Sequence, residues 1–253
     1  MQASQTASRR EPALNVPVPV LIWVGLLVAF HAGRALLPAN TDMRLLLEMA
    51  FVPAPWSIAL GFANAGEIVA AAQQAADTPQ GAVRLLLAQI YAQDPPRPWS
   101  LVTYSLLHVS WAHLGVNCLL FVVFGSSVVR RAGSPASLAL WLAAAIGGAV
   151  AQGLSDPRSV DLVIGASASA SGFIAAAATF VFSRPGDGRF AFLRRRGALA
   201  LLGLWFAANL LNGLILVPLG WGDADLAWPA HVGGLLVGAI LFPLLAPRNE
   251  VRP

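Results

Sequence analysis

The feature that most constrains this chain is a series of six apolar runs, at residues 18–37, 113–129, 138–154, 162–182, 198–219 and 227–245. About 20 apolar residues cross the hydrocarbon core of a bilayer, and a run of that length that cannot be wetted has to span it. Only 11% of residues are charged, against about 25% in a soluble domain whose surface must face water. The charges cluster between the runs rather than scattering through them. The expected fold is an all-α integral membrane protein: a six-transmembrane-helix bundle with a long, partly helical first extracytoplasmic loop.

Residues 1–15 are polar and read as a disordered cytoplasmic tail, 16–246 as one membrane domain, and 247–253 as a second cytoplasmic tail. The first run lacks a convincing cleavage site, which favours a span over a removed signal peptide. Residues 38–100 form a connector too long for simple linkage. Its amphipathic stretches at 43–51 and 83–91 suit short helices in the membrane interface, and Pro95, Pro96 and Pro98 end it.

Six spans place both termini on one side. That side carries Arg9, Arg10, Arg130, Arg131, Arg184, Arg189, Arg194, Arg195, Arg196, Arg248 and Arg252, whereas the other carries Arg34, Arg44, Arg84, Arg97 and Arg158. Cytoplasmic loops are enriched in basic residues. The expected location is therefore a cell membrane, in a bacterium the inner one, with both termini cytoplasmic. Every basic residue is arginine, and in a membrane chain such residues orient the spans rather than bind nucleic acid. The single cysteine, Cys118, lies in an apolar run and reads as a small core residue.

Polar residues inside a membrane are costly and mark function by default. His113, Asn117 and His231 sit near helix starts on the outer side, and Ser167, Ser169 and Ser171 occupy the first turns of the fourth run. The segment from Gly165 to Gly172 is made almost entirely of tiny residues, which lets neighbouring helices approach closely; this should be the central helix. Gly234 and Gly238 form a G-x-x-x-G face in the last run, one turn after His231. Packing those two helices together brings His231 towards Ser167, and a serine needs such a base to become a nucleophile near neutral pH.

The order of these motifs is specific. Leu106-Leu107-His108-Val109-Ser110-Trp111-Ala112-His113-Leu114-Gly115-Val116-Asn117, then Gly165-Ala166-Ser167, then Ala230-His231-Val232-Gly233-Gly234, resembles the rhomboid family of intramembrane serine proteases over residues 95–246. The resemblance implies a catalytic dyad of Ser167 as nucleophile and His231 as general base, without an acidic third member. It implies an oxyanion and substrate-binding pocket formed by His113, Asn117, the Ser167 backbone N–H and Gly165. His113 and Asn117 are four residues apart and share a helical face.

Two positions depart from the family pattern. Ala168 stands where the family usually has the last glycine of Gly-x-Ser-Gly, and the family's Trp-Arg pair is Trp99-Ser100 here. Ala168 keeps a second reading in play, a non-catalytic relative that binds transmembrane segments without cutting them. A transporter is disfavoured, because neither internal repeats nor a path of ionisable residues is present. Ser171 is expected to line the cavity, Trp205 and Phe206 to form a gate, residues 220–225 to cap the site, His108 to be structural and His31 to be a packing residue. No metal-ligand cluster or nucleotide-binding motif appears, so no cofactor is implied. The expected partners are transmembrane protein substrates and membrane lipid.

Overall fold

A computed structural model describes residues 15–74, 76–184, 186–211 and 227–246. The expected tails, the end of the fifth run and the expected cap at 220–225 lie outside the described residues. Among the described residues the regular structure is helical, with one isolated antiparallel bridge between Phe51 and Val163. Three stretches are long and apolar enough to cross a membrane: Val18–Ala35, Trp111–Ser155 and Trp228–Leu245. Ser167–Val181 and Arg196–Leu211 are shorter apolar helices.

Helix α1 (Val18–Ala35) opens the chain. After the first connector and the short α6 (Ser100–Thr103), α7 (Trp111–Leu120) runs through a π-helical turn at Phe121–Gly125 into α8 (Ser126–Ser155). That helix is broken at Gly133 (φ 79°, ψ 170°), two residues before Pro135. Glycine takes a positive φ without a side-chain clash, and proline cannot continue the helix that precedes it. Residues 111–132 and 134–155 are therefore two helices, each about 33 Å long at 1.5 Å per residue, matching the apolar thickness of a bilayer. They take up the second and third runs.

The fourth run is only partly helical. Phe51 and Val163 exchange backbone hydrogen bonds of 3.1 and 2.9 Å, which keeps the chain around Val163 out of the helix; a turn at Gly165 and Ala166 follows, and α9 (Ser167–Val181) begins at Ser167. Its residues from Ala168 to Thr179 are all buried, as its small side chains lead one to expect of a central helix. Helix α10 (Arg196–Leu211) and α11 (Trp228–Leu245) complete the bundle.

Backbone meets backbone where α8, α9 and α11 cross. A Cβ on Gly238 would lie 2.8 Å from the Gly172 α-carbon, one on Gly234 2.7 Å from the Ala168 carbonyl carbon, and one on Gly148 2.5 Å from the Ala168 Cβ. With lipid tails as apolar as leucine, close van der Waals contact of this kind is what holds such helices together. Larger side chains fill the other face: Phe121 stacks on Trp141 at 4.2 Å and 4°, and Phe173 meets both edge-on.

The first connector folds into four short helices: α2 (Ala39–Met49), α3 (Pro53–Ala59), α4 (Ala65–Gln73) and α5 (Pro79–Tyr91). Asn64 and Thr78 cap α4 and α5, each accepting a backbone N–H with its side chain, as N-cap residues do. Ala54, Ile68, Ala88 and Val160 form a small core of their own. Two residues before Trp99, Arg97 pairs with Glu48 (3.1 Å) and Asp94 (2.9 Å) and lies over the Tyr91 ring. Trp99 donates its indole N–H to the Glu48 carbonyl at 2.9 Å. Arg84 makes a bidentate pair with Asp161 (2.8 and 2.8 Å), tying the connector to the segment that leads into α9.

Candidate active site

The turn before α9 sets the position of Ser167. Gly165 has φ +125°, and its N–H donates to the Tyr104 carbonyl at 3.0 Å. Tyr104 is itself buried and donates its hydroxyl to the Ala145 carbonyl at 2.8 Å. Ala166 directs its N–H at His108 Nε2, 3.5 Å away. Ser167 is then the first residue of the helix, among the positions whose N–H has no partner within the helix.

The three serines are not equivalent. Ser169 is fully buried and donates to the Trp141 carbonyl at 3.0 Å. Ser171 is also fully buried; it donates to the Ser167 carbonyl at 2.8 Å and accepts the Trp205 indole N–H at 3.0 Å. Ser171 is thus spent on helix contacts rather than lining a cavity. Ser167 alone of the three is partly exposed, and its Oγ lies 2.6 Å from His231 Nε2. That distance follows from the glycine seam, since His231 sits one turn before Gly234 on α11, where α11 lies against the carbonyl of Ala168.

His113 and Asn117 share the inner side of α7. Ser110 caps this helix, its hydroxyl accepting the His113 N–H at 3.1 Å. The His113 ring lies over Gly165: a Cβ there would be 2.8 Å from His113 Cε1, 3.0 Å from Nε2 and 3.5 Å from Ser167 Oγ. Gly165 therefore needs both its backbone conformation and its missing side chain. Asn117 is buried, with Nδ2 donating to the His113 carbonyl at 3.1 Å, while its Oδ1 has no hydrogen-bond partner among the described residues. The five residues expected at the site thus converge on one end of the bundle.

His108 and His31 are also drawn in. The His108 ring lies edge-on to His113 (5.2 Å between centroids) and to His31 (6.4 Å), and His31 packs edge-on against Trp111 at 4.6 Å. The His108 carbonyl accepts from Arg34 at 3.1 Å, and Arg34 is clamped by Asp42 at 2.7 and 3.1 Å. The end of α1 is so linked to the turn that precedes α7. One contact was not anticipated: His231 Nδ1 meets Asn209 Oδ1 of α10. The signal available in sequence was an amide within an apolar run, the same signal that singled out Asn117, though this run carries Asn212 as well as Asn209.

A family model described as the Rhomboid domain matches residues 95–248, more than half of the chain. The chain belongs to the rhomboid family. The matched rhomboid domain contains every residue of the site just described except Arg34, Asp42 and His31. The chain is also similar to the rhomboid protease GlpG of Haemophilus influenzae, with 28% identity over 151 residues that cover 59% of this chain and 71% of that protein. Rhomboid membership and the apolar helices together make it a multi-pass membrane protein.

Proposed function

We propose that this protein is an intramembrane serine protease that hydrolyses peptide bonds in or near transmembrane segments of other membrane proteins. The observation that carries the reading is the 2.6 Å approach of His231 Nε2 to Ser167 Oγ, on the one partly exposed serine of the segment. His231 takes the Ser167 proton as Oγ attacks the scissile carbonyl, then delivers it to the leaving amine. The developing oxyanion is held by the Ser167 N–H, His113 and the Asn117 amide, once Asn117 turns Nδ2 from its own helix towards the substrate. One such donor contributes roughly 10²–10³ in rate. Water then cleaves the acyl-enzyme, His231 again acting as base. The six helices cross the membrane six times with both termini cytoplasmic, so the site opens towards the outer face, beside the folded first loop.

Ala168 is compatible with this activity. No residue other than glycine has a positive φ among the described residues, so Ala168 is in ordinary helical geometry, and its methyl packs against the bare α-carbon of Gly148.

The test is labelling of the full-length protein in bilayers with a fluorophosphonate, with the modified residue mapped by mass spectrometry. The expected result is label on Ser167 that disappears in His231→Ala, together with cleavage of a reporter transmembrane segment co-reconstituted with the protein. Label on no serine, in folded protein beside an active control protease, favours the non-catalytic relative instead.

A further inference from the structure

The base of the proposed dyad has a second polar partner on a third helix. Asn209 is 6% exposed and lies in α10, a helix otherwise lined with leucine, alanine and aromatic residues. Its amide orientation is set by its own bond, because Nδ2 donates to the Trp205 carbonyl one turn earlier, at 2.7 Å. Oδ1 is therefore the atom that faces the His231 ring, where it meets Nδ1. An amide oxygen can only accept, so Nδ1 carries the proton and Nε2 presents its lone pair to Ser167 Oγ.

We infer that Asn209 is the positioning residue of a Ser167–His231–Asn209 relay, fixing the tautomer and the ring orientation in which His231 acts as base. The inference rests on the protease reading above and adds to it the group that selects the competent imidazole. In the Ser-His-Asp arrangement a carboxylate on Nδ1 does this work, and a neutral amide does it in the Cys-His-Asn variant. No carboxylate among the described residues bonds to His231, whose ring nitrogens meet Asn209 and Ser167. A neutral partner also suits the depth, since an uncompensated carboxylate in the membrane interior carries a large desolvation cost.

A consequence follows for α10. Ser167 and His231 belong to α9 and α11, which are locked backbone to backbone through Gly234 and Gly238. Asn209 belongs to α10, which reaches the same site through two polar side chains, Asn209 on His231 and Trp205 on Ser171. The base is therefore held in its working orientation only while α10 is docked against the pair.

The test uses the full-length protein in bilayers and two independent readouts. The first is the kinetics of Ser167 acylation by a fluorophosphonate, resolved into kinact and KI. Asn209→Leu, which keeps the branching at Cγ and removes the acceptor, is expected to lower kinact about 10- to 100-fold, part of the 10²–10⁴ that a general base contributes, with KI unchanged. Asn209→Asp, which restores an acceptor on Nδ1, is expected to recover most of the rate. The second readout is ¹⁵N NMR of histidine-labelled protein, tractable because the chain has four histidines. His231 is expected to be a single Nδ1–H tautomer in the wild type and to lose that uniqueness in Asn209→Leu. A purely structural asparagine would lower thermal stability without moving the tautomer. If Asn209→Leu keeps both the wild-type kinact and the wild-type tautomer, the inference is overturned while the protease reading stands. If the wild-type protein neither labels nor cleaves, the protease reading falls and with it the relay, whatever the tautomer.

Discussion

Gly234→Ala is the substitution that tests the geometry most severely. A methyl at Gly234 would lie 2.7 Å from the Ala168 carbonyl carbon and nearer still to its oxygen. Non-bonded carbons settle at about 3.5–4.0 Å, so α9 and α11 must part by about 1 Å at this crossing. His231 is three residues away on the same helix and moves with it. The Nε2 to Oγ separation of 2.6 Å then opens to roughly 3.6 Å, beyond hydrogen-bonding range. A misplacement of about 1 Å in reacting groups costs on the order of 10²-fold in rate, and overpacking adds about 1–3 kcal/mol of destabilisation. The assay is the rate of fluorophosphonate acylation of Ser167 in bilayers, with thermal unfolding measured on the same sample. Gly203→Ala on α10 is the control, because a Cβ there meets nothing within 4 Å, and it should be neutral. A Gly234→Ala protein that labels at the wild-type rate would refute the claim that this seam sets the dyad distance.

Three further outcomes are expected. Gly165→Ala forces a side chain into φ +125° and against His113, so acylation of Ser167 should fall at least tenfold while the glycine-packed helices remain folded; wild-type kinetics would show that His113 does not lie over the turn. Ala168→Gly should change the acylation rate less than twofold and lower stability by about 0.5–1 kcal/mol through loss of helix propensity; a large gain in rate would mean that alanine obstructs the oxyanion pocket. Tyr91 in α5 donates its hydroxyl to the Leu47 carbonyl, and burial pushes its pKa up to about 12. A raised phenol pKa favours the folded state fully below the unfolded value of about 10, and that contribution is lost as pH rises from there through about 12. With two tyrosines in the chain, absorbance titration of a Tyr104→Phe protein follows Tyr91 alone, and a midpoint near 10 would contradict its burial.

Much of this was legible in the residues alone. The apolar runs announced helices because a bilayer core offers no partner for an unpaired backbone group. The small residues around Ser167 announced the central helix, and Gly234 and Gly238 announced its neighbour, because tiny side chains matter only where backbones touch. The order of His113, Asn117, Ser167 and His231 was enough to name the family and to place these residues at one end of the bundle.

Other features depended on contacts between residues distant in sequence. Residues 162–166 are as apolar as a helix, yet the bridge from Val163 to Phe51 and the turn at Gly165 keep them out of one, and hydropathy does not report such pairing. The first connector reads as a few amphipathic stretches, yet three of its four helices close on a core of Ala54, Ile68, Ala88 and Val160, drawn from both sides of the bundle's second and third long helices. The resemblance already singled out Ser167, but only burial and partners show how it differs from Ser169 and Ser171, whose hydroxyls are buried and bonded to helix carbonyls. Asn209 stands 22 residues from His231, and its alignment with the imidazole depends on how α10 is turned about its axis. Sequence periodicity fixes which residues share a helix face; only packing against the other helices decides what that face meets.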